Sequence, residues 1–154
     1  MNVSEQLGSP GYAELYFDDI VARIKRELIA FDKKHSISDM VSAGTSNVQL
    51  ISTSGTATTL AAIHLDLPRY ERAKIDGISL GNDKIHGTID RLLHMRPSER
   101  FAHPCIGVNR SDYILAGCAI YKAITSLWQF PETTIADRGI REGIIMSRML
   151  QLES

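Results

Sequence analysis

The sequence predicts an α/β domain, helix-rich with a small sheet. Three observations carry that prediction. Apolar residues recur at helical spacing in several long segments. Two or three short apolar runs between them are strand-like. At two places such a run hands over to a helix through a polar bend that contains glycine.

The elements follow in order. Ser9-Pro10-Gly11 breaks the start of the chain. Phe17, Ile20, Val21, Ile24, Leu28 and Phe31 then recur at helical spacing, with Lys25, Arg26, Glu27 and Asp32 on other faces. This predicts a helix over 12–33. The polar stretch 36–47 reads as a loop. Val48, Leu50 and Ile51 make a short strand that Ser54-Gly55 ends. A second helix opens near Thr56 or Ala57 and closes before Pro68, which cannot continue it. Residues 75–80 read as a short extended piece. Asn82 or Asp83 can cap a third helix bearing Ile85, Ile89, Leu92 and Leu93, weakened a little by Gly87. Pro97-Ser98-Glu99-Arg100 opens a helical turn that Pro104 stops. Asn109-Arg110-Ser111-Asp112 leads into an apolar helix over 111–129. Residues 133–136 are a further strand candidate. Asp137-Arg138-Gly139 then turns the chain into a last helix over 140–151. Sheets usually have about 4–6 strands. This string should therefore need more strands, or a partner that supplies them.

Composition narrows the function classes. The 154 residues are 44% hydrophobic and 23% charged with a net charge of -1, an ordinary single domain without the basic footprint of a nucleic-acid binder. No run approaches the roughly 18 apolar residues of a membrane span. The first twelve residues do not read as a signal peptide. Cys105 and Cys118 are therefore expected to be reduced thiols of a cytoplasmic protein. His35, His64, His86, His94 and His103 form no metal-ligand pattern, and His103-Pro104-Cys105 is poorly arranged for a Cys–His nucleophile.

Ligands of open α/β sheets settle beyond the carboxyl ends of the strands. The first such corner is Thr53-Ser54-Gly55-Thr56-Ala57-Thr58. Its helix start favours an anion, and the Thr56 and Thr58 hydroxyls add donors. The same residues also serve as ordinary helix caps. The second corner is 136–143. Arg141 stands there in the first turn of a helix, against the dipole. A phosphate would explain it, and so would an ion pair with Asp137 or Glu142. A third feature is the run of small residues Ala116-Gly117-Cys118-Ala119 inside an apolar helix. It fits close packing within the domain, or a hinge contact with another lobe.

Three segments, TSGTATTLAAIHLDLPRYERAKIDG, RSDYILAGCAI and IADRGIREGII, resemble the C-terminal lobe of the exopolyphosphatase/guanosine pentaphosphatase (Ppx/GppA) family. RPSERFAHPCIGVNRSDYILAGCAI and NVSEQLGSPGY extend the resemblance over nearly the whole chain. It implies a partial ribonuclease-H-like lobe of the actin, sugar kinase and heat-shock ATPase superfamily, with residues 1–154 as the rear part of that lobe. It implies a hydrolase that cleaves the terminal phosphoanhydride of inorganic polyphosphate or guanosine pentaphosphate, with Mg2+ in the intact enzyme. Ser54, Gly55, Thr56 and Thr58 would line the ligand side of the cleft. Arg141 and Glu142 match the terminal motif. Ala116, Gly117 and Cys118 would be the hinge.

The resemblance also sets what this chain is expected to lack. The family's phosphate loops, Asp-Ile-Gly-Ser-Asn-Ser and Asp-Ile-Gly-Gly-Gly-Ser, are not in the sequence; Asp76-Gly77-Ile78-Ser79 is the nearest fragment. The catalytic carboxylate belongs to a lobe that would precede Met1. Thr53-Ser54-Gly55 also stands where relatives more often carry two glycines. No catalytic residue, metal ligand or bound cofactor is therefore expected here, and the chain alone should be inactive. A non-catalytic module is the alternative: one that binds nucleotide or polyphosphate, or forms a homo-oligomer through an uncovered sheet edge.

Overall fold

The computed structural model describes residues 12–44, 48–108, 110–111 and 113–152. Residues 2–11 of the segment NVSEQLGSPGY lie outside these, as do Asn109 and Asp112. Helix α1 (Tyr12–His35) opens the described chain and carries Lys33, Lys34 and His35 in its last turn, where cations suit the helix dipole. Phe17, Ile20 and Val21 are buried, and Ile24 and Leu28 pack against the same core. The buried stripe lies along the apolar helix α7 (Ile114–Leu127).

The stretch 36–47 is not all loop. Residues Ile37–Ser42 form a short helix, α2. Ser36 takes the left-handed conformation (φ 53°), which ends α1 and restarts the helix. Asp32 spans the break: its carboxylate accepts hydrogen bonds from the Ser38 N–H (2.9 Å), the Ser38 hydroxyl (2.7 Å) and Trp128 Nε1 (2.8 Å). The polar residues that read as a loop are thus a helix junction, tied to the end of α7.

Three short strands form one mixed sheet in the order β1-β3-β2, from β1 (Leu50–Ser52), β2 (Ile78–Gly81) and β3 (Glu132–Ile135). The central β3 pairs parallel with β1 and antiparallel with β2. Thr133, Ile135 and Leu80 are buried on one face. Ile51, Thr134 and Ser79 form a row across the other face, where Ile51 is 56% exposed. The alternation is that of a sheet covered on one side.

Helices cover the inner face: α3 (Gly55–His64), α5 (Asn82–His94) and α7 pack on one another. Leu60, Ile63, Ile85, Ile89, Leu92 and Cys118 are fully buried there. A short helix, α4 (Arg72–Ile75), precedes β2. The cap of α5 is Gly81, not Asn82 or Asp83. Asn82 instead donates from Nδ2 to the Phe130 carbonyl (2.8 Å), which fixes the entry to β3. In α6 (Pro97–Ala102) the buried Arg100 donates to the Leu92 and Met95 carbonyls, closing the end of α5. The apolar helix starts at Ile114 rather than 111, because Arg110 and Tyr113 form a turn (Tyr113 N–H to Arg110 O, 3.0 Å). The last helix, α8 (Ile140–Leu152), has no buried residue. No helix among the described residues is long and apolar enough to cross a membrane.

Candidate functional site

Parallel pairing decides where the two polar bends lie. Ser52 is registered with Ile135, and the Ala136 N–H donates to the Ser52 carbonyl (2.9 Å). Both strands run the same way, so both chains leave the sheet at the same end, side by side. Thr53, Gly55 and Thr58 of the first bend and residues 137–142 of the second thus line one groove of about 490 Å³, together with Arg72 and Arg110. Bends some eighty residues apart in sequence become two walls of one site.

In the first bend Ser54 caps α3: its hydroxyl accepts the Ala57 N–H (3.1 Å). Thr58 and Thr59 turn their hydroxyls back to the Gly55 carbonyl (3.1 and 2.8 Å). The Thr56 side chain fills the space above Gly117 of α7. The hydroxyls expected to serve a ligand are therefore committed to the helix and its packing. From this bend Thr53, Gly55 and Thr58 line the groove, together with Arg110. The Arg110 guanidinium lies 3.3 Å from Thr59 Oγ1 and 3.5 Å from the Gly55 carbonyl. It also lies 3.5 Å from where a Cβ on Gly55 would stand, so glycine leaves the approach open.

In the second bend Arg72 takes the carboxylates that sequence proximity offered to Arg141. It bridges Asp137 (3.6 Å) and Glu142 (3.2 Å), and also donates to the Asp137 carbonyl. Glu142 accepts the Gly139 N–H on its other oxygen (2.8 Å), closing the first turn of α8. These backbone hydrogen bonds, with Arg72 beside them, pull its carboxyl down to about 2. Arg138 pairs with Asp76 (2.7 Å), which also accepts the Asp137 N–H (3.0 Å). The hydrogen bond from Arg138 is the largest cause holding Asp76 below the usual carboxylate range. Arg141 is exposed and makes no ion pair among the described residues. Burial pushes the nearby Tyr70 phenol up, and Asp137 adds to this.

Of the residues singled out from sequence, the structure brings Gly55, Thr58, Arg141 and Glu142 to one groove. Ser54 stands at its edge as a cap. Ala116 and Cys118 are buried, and the close contact that Gly117 permits is with Thr56 of the same chain. Burial pushes the Cys118 thiol up to about 12. Cys105 donates its thiol to the Leu67 carbonyl (3.2 Å), so it does not face His103 as a nucleophile. Arg72, Arg110 and Thr59 were not singled out as site residues, because their placement depends on tertiary contacts. Among the described residues no group of three or more His, Cys, Asp or Glu side chains could hold a metal ion. The groove carboxylates are engaged by Arg72 and Arg138, so these residues do not fit a Mg2+ site.

A model of the Ppx/GppA phosphatase family matches residues 1–152. No curated protein matches the chain. Solved structures similar to it include the following three. The Aquifex aeolicus Ppx/GppA family member shares 22% identity over 80% of this chain and 42% of its own, with a TM-score of 0.64. An exopolyphosphatase-like protein shares 18% over 96% and 47%, with a TM-score of 0.76. An exopolyphosphatase from Cytophaga hutchinsonii ATCC 33406 shares 17% over 84% and 41%, with a TM-score of 0.61. The chain thus spans less than half the length of each. The likeness shows the fold alone: a helix-rich α/β architecture with a small sheet, as the sequence predicted.

Proposed function

Because the chain belongs to the Ppx/GppA phosphatase family, we propose that it forms one wall of a cleft that cleaves a terminal phosphoanhydride. The substrate is inorganic polyphosphate or guanosine pentaphosphate. This wall holds the phosphates and does not cleave them by itself. One observation carries the reading: Arg110 and Arg141 reach the shared groove with no carboxylate partner among the described residues. Arg72 and Arg138 are neutralised by Asp137, Glu142 and Asp76. Among the described residues four arginines thus meet three carboxylates, and Arg110 adds its charge beside the start of α3, where the helix dipole also favours an anion.

The same groove supplies little for the chemical step. Phosphoryl transfer needs phosphate-cradling loops, a metal and a group that orients the attacking nucleophile. Glu142 has both oxygens engaged, and Asp137 lies against Arg72. Loss of a single donor to developing charge can cost about a hundred- to a thousandfold in rate, so a wall without the loops should bind and not turn over. Mg2+, expected for the complete enzyme, would need ligands other than the groove carboxylates that Arg72 and Arg138 engage. The two free, buried thiols suit a cytoplasmic protein. The test is to titrate the chain with tripolyphosphate, then assay phosphate release from long-chain polyphosphate and guanosine pentaphosphate with Mg2+. Binding without release is expected. Release well above an Arg141→Ala/Glu142→Ala double variant would overturn the inactive wall, and no binding would overturn the site.

A specific observation also favours self-association. Ile140, Ile144, Ile145, Met146, Met149, Leu150 and Leu152 of α8 are all more than half exposed and are spread around the helix. Apolar side chains exposed to this extent along one helix are normally covered. Helix α8 is thus a candidate contact surface besides the edges of β1 and β2, which are three and four residues long. Sedimentation at rising concentration should show a monomer–oligomer equilibrium that Ile144→Lys/Leu150→Lys shifts to monomer. A strict monomer throughout would end this reading.

A further inference from the structure

The segment that leads from α6 to Arg110 is closed by a histidine side chain. His103 caps the C-terminal end of α6, and its Nδ1 accepts the Cys105 N–H (3.2 Å). Cys105 is buried, with its thiol turned to the Leu67 carbonyl. A buried N–H needs an acceptor, and here the imidazole supplies it. Hydrogen-bonded turns then follow one another. The His103 carbonyl accepts the N–H groups of Ile106 (3.1 Å) and Gly107 (3.4 Å), and the Gly107 carbonyl accepts the Arg110 N–H (3.1 Å). Gly107 takes the left-handed conformation (φ 75°) that lets one turn run into the next. The Arg110 carbonyl in turn accepts the N–H groups of Tyr113 (3.0 Å) and Ile114 (2.9 Å), where α7 begins. The place of Arg110 is thus carried back, turn by turn, to the ring of His103.

An imidazole accepts on Nδ1 only while its one proton sits on Nε2; in the imidazolium both nitrogens are donors. Protonation of His103 would therefore set an N–H against the Cys105 N–H and leave that buried donor without its acceptor. The surroundings resist the proton. Burial of the ring and the charge of Arg91 on α5 hold the His103 pKa below the ordinary histidine value of 6.5, and Asp66 after α3, itself paired with Arg91 (2.7 Å), opposes them in part. We propose that protonation of His103 opens the 103–107 turn and loosens Arg110, so that the groove holds phosphates near neutral pH and weakens its hold as pH falls. The effect on the groove rests on its reading as a phosphate site. The sign follows from linkage. The open turn takes the proton more readily than the closed one, so the closed turn is fully favoured above 6.5 and is lost as pH falls through the lower pKa of the closed form.

The test compares the full chain with His103→Asn and His103→Phe. The asparagine Oδ1 replaces Nδ1 as acceptor and does not titrate, whereas phenylalanine offers no acceptor. Amide exchange of Cys105 is followed by NMR, and tripolyphosphate affinity by calorimetry, at about pH 7.5 and about pH 5. At the lower pH the Cys105 amide of the wild type should exchange about three- to thirtyfold faster than that of His103→Asn, the upper bound being what one proton can supply about 1.5 units below the open-state pKa. At the higher pH the two should match, and His103→Phe should exchange fast at both. Tripolyphosphate affinity should fall further between the two pH values in the wild type than in His103→Asn; protonation of the ligand is common to both and cancels. Equal Cys105 exchange in the wild type and His103→Asn at about pH 5 would overturn the switch. Faster exchange with affinities that fall in parallel would overturn its control of the groove, because the turn then opens without moving Arg110. If tripolyphosphate binds none of the three proteins, the groove reading falls, and the exchange result alone decides whether His103 opens the turn.

Discussion

Gly117→Val is expected to destabilise this protein more than any other single substitution in the small-residue run of α7. A Cβ at Gly117 would stand 2.1 Å from Thr56 Oγ1 and 3.0 Å from both Thr56 Cβ and Cγ2. Thr56 has little room to yield. It is β-branched, with few χ1 options, and the following residues Ala57, Thr58 and Thr59 are buried. On the α7 side, Ala116, Cys118 and Ala119 are buried too. One helix must shift, and overpacking of this kind costs about 1–3 kcal/mol. Gly117→Ala recovers about 0.8–1 kcal/mol of helix propensity, so its net effect should be smaller. Valine adds two more carbon atoms at the contact and lacks that compensation.

The control is Thr56→Gly. In that background Gly117→Ala should become neutral or stabilising, because the obstructing atoms are gone and the propensity gain remains. Denaturant unfolding of the four proteins in the cycle should give a coupling of at least about 1 kcal/mol, within the range for residues in direct contact. Additive effects would show that Gly117 and Thr56 do not constrain each other. Tripolyphosphate affinity should fall along with stability in Gly117→Val, since Gly55 and the start of α3 move with Thr56.

The same pair illustrates what the sequence could and could not reveal. Gly117 could be singled out, because glycine inside an apolar helix costs stability unless something approaches closely. What approaches, Thr56 of this chain, depends on how α3 crosses α7. The long helices and both polar bends were legible from spacing and turn residues. Helix α2 was not, because its polarity reads as loop and its start depends on Ser36 in a left-handed conformation with Asp32 reaching over it. The meeting of the bends follows from β1 and β3 being parallel neighbours, and no local pattern encodes strand order. Arg72 was hidden for a related reason. The sequence offers Asp137 and Glu142 to Arg141 by proximity, yet an arginine some sixty-five to seventy residues away takes both.

Arg110→Glu is expected to lower tripolyphosphate affinity by about thirty- to a hundredfold, the largest functional loss in this groove. Two unit charges about 4 Å apart attract by about 1 kcal/mol in water and by about 4 kcal/mol near a protein surface. Arg110 is exposed, so the lower part of that range applies, and reversing the charge replaces attraction with repulsion. A loss of about 2–2.8 kcal/mol then converts to the stated factor. Arg141→Glu should cost less. Arg110 is already held by Thr59 and the Gly55 carbonyl, whereas Arg141 has no such anchor among the described residues and must be ordered on binding, at about 0.5–1.5 kcal/mol. Added salt should weaken the wild type more than either variant, because exposed charges are screened. Arg72→Ala separates this account from a general dependence on positive charge. Arg72 is tied to Asp137 and Glu142, and its loss would leave both carboxylates uncompensated beside the phosphates. Removing one of those two charges with Asp137→Asn in the Arg72→Ala background should recover part of the affinity without adding any cation. If Arg110→Glu binds tripolyphosphate like the wild type, the phosphates do not lie in this groove; if Asp137→Asn recovers nothing, Arg72 contacts them itself.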